Sequence, residues 1–143
     1  MKELFIQSMT IDDYERTIAL WSTTGGIGLN AADERDRIRC YLERNAGLSL
    51  TATLDGFLVG AVLCGHDGRR GYLHHLAVSA SFRGKGIGRR LVEECLRRLA
   101  DEKIDRCHVF VYPDNELGLA FWRGAGFGRR NDILICSHDI QCK

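Results

Sequence analysis

The segment from Leu76 to Arg90 constrains the fold of this chain more than any other. An apolar strand end, Leu76-Ala77-Val78, runs through the polar turn Ser79-Ala80-Ser81-Phe82, and Gly84, Gly86 and Gly88 then open an amphipathic helix. The first N–H groups of a helix have no partner within it, and the helix dipole draws negative charge to the same point. Glycine removes the Cβ that would keep a bulky oxyanion away from the backbone. Arg83, Lys85, Arg89 and Arg90 add mobile cations around the same turn. The combination reads as a cradle for an anion. It is not a nucleotide P-loop, because Gly84-Lys85 is not followed by Ser or Thr and the earlier glycine is wrongly spaced. The dinucleotide fingerprint fails too: counted from Gly84 its third glycine falls on Arg89, and counted from Gly86 on Leu91. A plain tight connection between strand and helix would use the same glycines.

Hydrophobic periodicity supplies the elements around this turn. Leu4-Phe5-Ile6 reads as a first strand, and Thr10 followed by Asp13 marks a helix start whose apolar positions include Ile18, Leu20 and Trp21. Gly25-Gly26-Ile27-Gly28 interrupts that helix, and a charged second helix over Ala31–Arg44 carries Ile38, Tyr41 and Leu42 as its buried stripe. Leu48–Leu54 and Phe57–Cys64 are β-rich runs joined by Asp55-Gly56, a hairpin signal. Gly71–Val78 is a further strand. From about Gly86 to Ala100, Ile87, Leu91, Val92, Cys95, Leu96 and Leu99 share one helix face, with Glu93/Arg97 and Glu94/Arg98 as i,i+4 pairs opposite and Arg97 and Arg98 read as a solvated face. Cys107–Tyr112 follows as a strand, Asn115 caps a helix from Glu116 to about Gly124, and Ile133-Leu134-Ile135 closes the chain as a last strand. Central hairpins followed by a strand–helix–strand unit predict a mixed sheet.

Composition narrows the function classes. A chain of 143 residues is one domain, residues 1–143, and 45% apolar content excludes wholesale disorder. Lys+Arg 20 against Asp+Glu 19 gives a net charge of +1, which argues against a nucleic-acid binder using Arg83 to Arg98. No apolar run is long enough to span a membrane, and Met1 to Gln7 lacks the long apolar run and small-residue cleavage site of a signal peptide, so the expected address is cytoplasmic. Without an export signal, Cys40, Cys64, Cys95, Cys107, Cys136 and Cys142 are expected as reduced thiols. A zinc site drawn from Cys107, His108, Cys136, His138 and Cys142 is disfavoured because tight ligand pairs are absent, so no metal is expected. A homodimer is the default oligomer.

Arg83, Gly86 and Gly88 spell Arg-x-x-Gly-x-Gly, and with Leu76-Ala77-Val78 upstream they resemble the acetyl-coenzyme A site of the GNAT family of N-acetyltransferases. Asn115, followed by Ala120-Phe121-Trp122-Arg123-Gly124-Ala125-Gly126-Phe127, resembles that family's second signature, and the two stand at family spacing. The resemblance implies an α/β (α+β) fold with a mixed central sheet of six to seven strands and about four helices. Its two central parallel strands, about 71–78 and 106–112, would splay apart. It implies acetyl-CoA as co-substrate, with its pantetheine arm added like a strand to the backbone of Leu76, Ala77 and Val78. Arg83, Gly84, Lys85, Gly86, Ile87, Gly88 and Arg89 would hold the pyrophosphate, and Asn115 would bond the arm from the other side. The implied activity is transfer of acetyl to a primary amine of a small molecule or peptide by direct attack through a tetrahedral intermediate. The amide of Leu76 would support the oxyanion, and no cysteine is needed as nucleophile.

For the base, strand alternation places Tyr72, His74, Leu76 and Val78 on one face and Leu73, His75 and Ala77 on the other. His74 stands where spermidine/spermine acetyltransferases carry a Glu, and either serves as base or is a packed strand histidine. His75 reads as structural unless a bulge reverses the faces, and His108 is a weaker candidate. Trp122 occupies the position of the family's acid Tyr, and an indole supplies no proton, so water or Tyr112 would have to protonate the thiolate. That substitution motivates the alternative, an acyl-CoA-binding module whose catalysis has lapsed. The acceptor would lie between Trp21–Leu29 and the turn near Arg129 to Asp132.

Overall fold

A computed structural model describes residues 3–142. The strands β1 (Leu4–Ser8), β2 (Leu50–Leu54), β3 (Phe57–His66), β4 (Gly71–Val78) and β5 (Cys107–Val109) form one sheet in chain order. The first four pair antiparallel, and β4 pairs parallel with β5. The β2–β3 hairpin turns on Asp55 (φ 51°) and Gly56 (φ 80°), the two consecutive left-handed residues that a tight hairpin demands. The parallel pair needs a crossover, which α3 (Ile87–Asp101) provides.

Each face of the sheet has its own apolar cover. On one, Ile87, Leu91, Val92, Cys95 and Leu99 of α3 pack on Leu50, Ala52, Val59, Cys64 and Leu73, and α4 (Glu116–Gly124) adds Phe121 and Trp122. On the other, α1 (Tyr14–Ser22) and α2 (Arg35–Arg44) bring Trp21, Ile38 and Tyr41 against Ala61, Leu63 and Ala77. Leu91 and Leu99 are fully buried, a gain of about 1.5–3 kcal/mol for each side chain. All six thiols are free, with Cys64 and Cys95 in the core. Among the described residues no helix is long and apolar enough to cross a membrane, and no three metal-ligating side chains gather.

Several expectations are corrected. The sheet has five strands among the described residues, not six or seven. Ile133-Leu134-Ile135 forms no strand: these residues are 56%, 91% and 67% exposed, so neither a ladder partner nor burial holds them extended. The fifth strand ends at Val109 instead of Tyr112, because its ladder with β4 stops at the Leu73–Val109 rung. The helix expected over Ala31–Arg44 is split into a 3-10 turn, Ala31–Asp33, and α2, with Glu34 extended between them (φ −63°, ψ 154°). On α3 the Glu94–Arg98 pair forms, but Arg97 turns to Glu94 and Asp101, and Glu93 pairs with Arg89. Nor is Arg98 a solvated residue: it donates to Ser8 Oγ at 2.9 Å and to the Gly47 carbonyl at 2.7 Å, tying α3 to β1 and to the turn before β2.

Candidate active site

The site opens where two parallel strands part. β4 and β5 share three rungs, Gly71–Cys107, Tyr72–His108 and Leu73–Val109, and beyond the last a cleft of about 1660 Å³ separates them. Ser79 N–H donates to Val59 O on the β3 side at 2.8 Å. Alternation therefore turns the Val78 carbonyl toward the cleft, where Arg83 Nε donates to it at 3.0 Å. Leu76, Ala77 and Val78 line this cleft, as the splayed arrangement requires.

A bulge in β4 overturns the simple alternation. Ala77 pairs with Ala61 but His74 pairs with Leu63, so His75 and Leu76 together stand opposite one residue, Val62. His75 takes φ 54°, a left-handed conformation rare for a residue with a full side chain. From that point the faces exchange. His74 and His75 both lie on the α1–α2 side, near Tyr41 and Trp21 respectively, whereas Leu76 and Val78 join Leu73 against α3. His74 therefore does not share a face with Leu76 and Val78, because the extra residue shifts every later side chain by one.

The glycine turn expected to cradle an anion lies at one end of the cleft. Gly84 (φ 76°) and Gly86 (φ 83°) are left-handed, and a Cβ at either would meet nothing within 4 Å. The ladder of α3 starts with Arg90 N–H donating to Gly86 O at 3.1 Å, which leaves the amides of Ile87, Gly88 and Arg89 without a helix partner. Gly88 lines the cleft and also serves packing. Its Cβ would lie 3.2 Å from the Phe121 ring, so the missing side chain lets α4 approach α3. Arg89 bonds the Gly124 carbonyl at the end of α4. Of the residues assigned to this cradle, Lys85 alone does not line the cleft; its Nζ stands 5.5 Å from the Phe82 ring centroid.

The far wall comes from β5, α4 and the α1–α2 loop. Asn115 caps α4, its Oδ1 accepting from Gly118 N–H at 3.0 Å, and its Nδ2 consequently faces Gly26, where a Cβ would come within 2.7 Å. The Tyr112 hydroxyl stands 2.8 Å from where a Gly28 Cβ would be. Residues 24–28 thus cross the cleft over Tyr112 and Asn115, and their glycines make room for those side chains. Trp122 packs edge-on between Phe121 and Phe127, with centroid distances of 5.1 and 5.0 Å, and is half-buried at the cleft wall, so it both packs and borders the cavity. Trp21 is fully buried and does not line the cleft, and neither do residues 129–132; Ile135 does.

The two histidines differ in what surrounds them. His74 stacks with Tyr72 and Phe110, at 6.3 and 5.9 Å between centroids, and burial, with its neighbour His75, holds its pKa below the ordinary imidazole value. His75 Nε2 lies 2.8 Å from Asp33 Oδ1. His108, on β5, packs against Tyr72 and does not line the cleft. Asp33 carries no catalytic signal in the sequence beyond the Asn30-x-x-Asp33 capping spacing, in which Asp33 Oδ2 accepts from Asn30 N–H at 3.1 Å.

Comparison with known proteins yields a consistent set. A family model described as the Acetyltransferase (GNAT) family matches residues 14–127. An acetyltransferase from Pectobacterium atrosepticum is 33% identical over 105 residues, 73% of this chain and 74% of that one. The PaiA N-acetyltransferase of Thermoplasma acidophilum, solved in complex with coenzyme A, superposes with a TM-score of 0.79 at 20% identity, covering 92% of this chain and 93% of that one. An aminoglycoside acetyltransferase from an uncultured soil metagenomic sample, solved in complex with sisomicin, gives 0.76 at 15% identity over 96% and 97%.

Proposed function

Since this chain belongs to the GNAT acetyltransferase family and is an acetyl-CoA-dependent acetyltransferase, we propose that it acetylates a primary amine of a small molecule or peptide by direct attack in the β4–β5 cleft. One observation carries the reading. The parting of the two strands, the free amides at the start of α3 and the two Cβ-free left-handed glycines all border one cavity. These residues fit the co-substrate: a diphosphate matches unpaired amides flanked by Arg83 and Arg89, and an amide-bearing arm matches the β4 edge at Leu76–Val78 and the amide of Asn115. When bound, acetyl-CoA supplies a thioester.

The chain's own groups then divide the chemistry. An aliphatic amine is mostly protonated at neutral pH, the lysine reference being about 10.4, so a base must first free its lone pair. A histidine of the His74–His75 pair takes that proton. The bulge turns both imidazoles to the α1–α2 side, the side from which residues 24–28 cross the cleft. The Leu76 amide supports the oxyanion. Trp122 supplies no proton, and Tyr112, the phenol on the cleft wall, protonates the departing thiolate.

The reading is tested by incubating the protein with acetyl-CoA and a panel of polyamines, aminoglycosides, amino acids and peptides while following free thiol. Thiol release that depends on one class of amine supports it. Binding of acetyl-CoA with no release on any amine supports a lapsed acyl-CoA-binding module instead, the reading that an indole without a transferable proton at the cleft wall favours.

A further inference from the structure

We infer that Asp33 and His75 act as a pair in which the buried carboxylate fixes the imidazole so that Nδ1 removes the proton from the incoming amine. The inference rests on the acetyl-transfer reading and assigns its base.

The geometry selects His75 over its neighbour. His75 Nε2 stands 2.8 Å from Asp33 Oδ1, and the Asp33 side chain is only 7% exposed. An ionised carboxylate only accepts hydrogen bonds, so Nε2 carries the proton and the lone pair of the neutral ring is on Nδ1. Among the described residues nothing bonds Nδ1, and it is not one of the buried unpartnered polar atoms, so it stays reachable at the cleft wall that His75 lines. The carboxylate is itself held. Its second oxygen accepts from Asn30 N–H, and the Tyr14 hydroxyl donates to the Asp33 carbonyl at 2.7 Å. On its other side the His75 ring packs against the buried Trp21 at 5.1 Å. The left-handed backbone at His75 costs free energy and persists because these contacts over-determine it. His74, by contrast, has aromatic neighbours and no carboxylate partner among the described residues.

The proton balance closes. The ammonium gives one proton to His75 Nδ1, forming an imidazolium that keeps its Nε2–H on Asp33. The freed lone pair forms the C–N bond, and the C–S bond breaks as the oxyanion collapses. Tyr112 protonates the thiolate, the second nitrogen-bound proton restores Tyr112, and the imidazolium proton goes to solvent. Asp33 is therefore a positioning residue. The titratable and charged groups around the pair are His74 on β4, Tyr14 on α1, and Glu34 and Arg35 directly after Asp33.

Two variants test the pair. Asp33→Asn keeps the shape but lets an amide N–H meet Nε2, which moves the ring proton to Nδ1. His75→Asn removes the imidazole with a residue that tolerates positive φ. Both are expected to lose about 10²–10⁴-fold in kcat, the range typical of general-base removal, with acetyl-CoA affinity by calorimetry unchanged. Their kcat/KM is expected to climb about tenfold per pH unit, tracking the free-amine fraction, where the wild type is level. Nitrogen NMR of labelled histidine on the free protein adds a readout independent of turnover: His75 shows a bare Nδ1 in the wild type and a protonated one in Asp33→Asn. The pair is overturned if the wild type shows Nδ1 protonated, if either variant keeps the wild-type rate and pH profile, or if His74→Gln alone reproduces the loss with the His75 tautomer intact. A wild type that acetylates no amine instead refutes the transferase reading itself.

Discussion

Replacing Gly86 by Ala separates the grip on the diphosphate from the fold. A Cβ at Gly86 meets nothing within 4 Å, so no clash arises inside the protein, but the residue must hold φ 83°. A left-handed non-glycine residue costs about 1–2 kcal/mol. For a chain of 143 residues that lowers Tm by roughly 3–7 °C. The methyl group points into the space where a phosphate oxygen would approach the free amides of Ile87, Gly88 and Arg89. Losing one charge-assisted hydrogen bond there costs about 1.5–3 kcal/mol, or roughly 10- to 100-fold in Kd for acetyl-CoA. Gly88→Ala is the control, because its methyl is aimed at Phe121 instead of the cleft; it is expected to reduce stability and to change Kd less. Calorimetric titration of acetyl-CoA and thermal melts of both variants give the two numbers. If Gly86→Ala binds acetyl-CoA as tightly as the wild type, the cradle is misplaced and the reasoning fails. Gly86→Val is a poorer probe, since a β-branched side chain at positive φ adds a folding defect to the binding loss.

Two further outcomes are expected. Tyr112→Phe should lower kcat while leaving acetyl-CoA affinity in place, measured by thiol release and calorimetry; an unchanged kcat would assign thiolate protonation to water. Burial holds the His74 pKa below its unfolded value of 6.5, so as pH falls the unfolded chain takes up the proton first and stability drops from about pH 6.5 downward. Urea midpoints should therefore fall between roughly pH 7 and 5, and His74→Gln should flatten the part of that slope that belongs to this residue. An identical slope in the variant would contradict the assignment.

The local elements were legible because their signals are local. Asp55-Gly56 specifies its turn through backbone conformation, the α3 stripe follows from spacing on one helix, and Asn115 caps the helix it precedes. Gly84 and Gly86 carry their meaning in the absence of a side chain. What was not legible depends on register or on distant partners. The bulge at His75 arises from how β3 pairs with β4, and no pattern within Gly71–Val78 marks it, so the expected face of His74 relative to Leu76 and Val78 was inverted. Asp33 reaches His75 across 42 positions of sequence and reads locally as one more charged residue of a helix. Ile133-Leu134-Ile135 has strand composition, yet a strand also needs a neighbour to pair with, and sequence cannot supply one. Arg98 likewise looks like a solvated helix residue until Ser8 and Gly47 are brought beside it.

A β4–β5 cleft that holds acetyl-CoA and turns its thioester toward an amine must yield two products in equal amount. Mass spectrometry of amine panels after incubation, with free coenzyme A counted in the same samples, tests it most directly. The expected result is an acetylated amine formed one-for-one with coenzyme A thiol, abolished when the cleft is saturated with a non-hydrolysable coenzyme A thioether. Coenzyme A released without any acetylated amine, or product formation indifferent to that thioether, would contradict it.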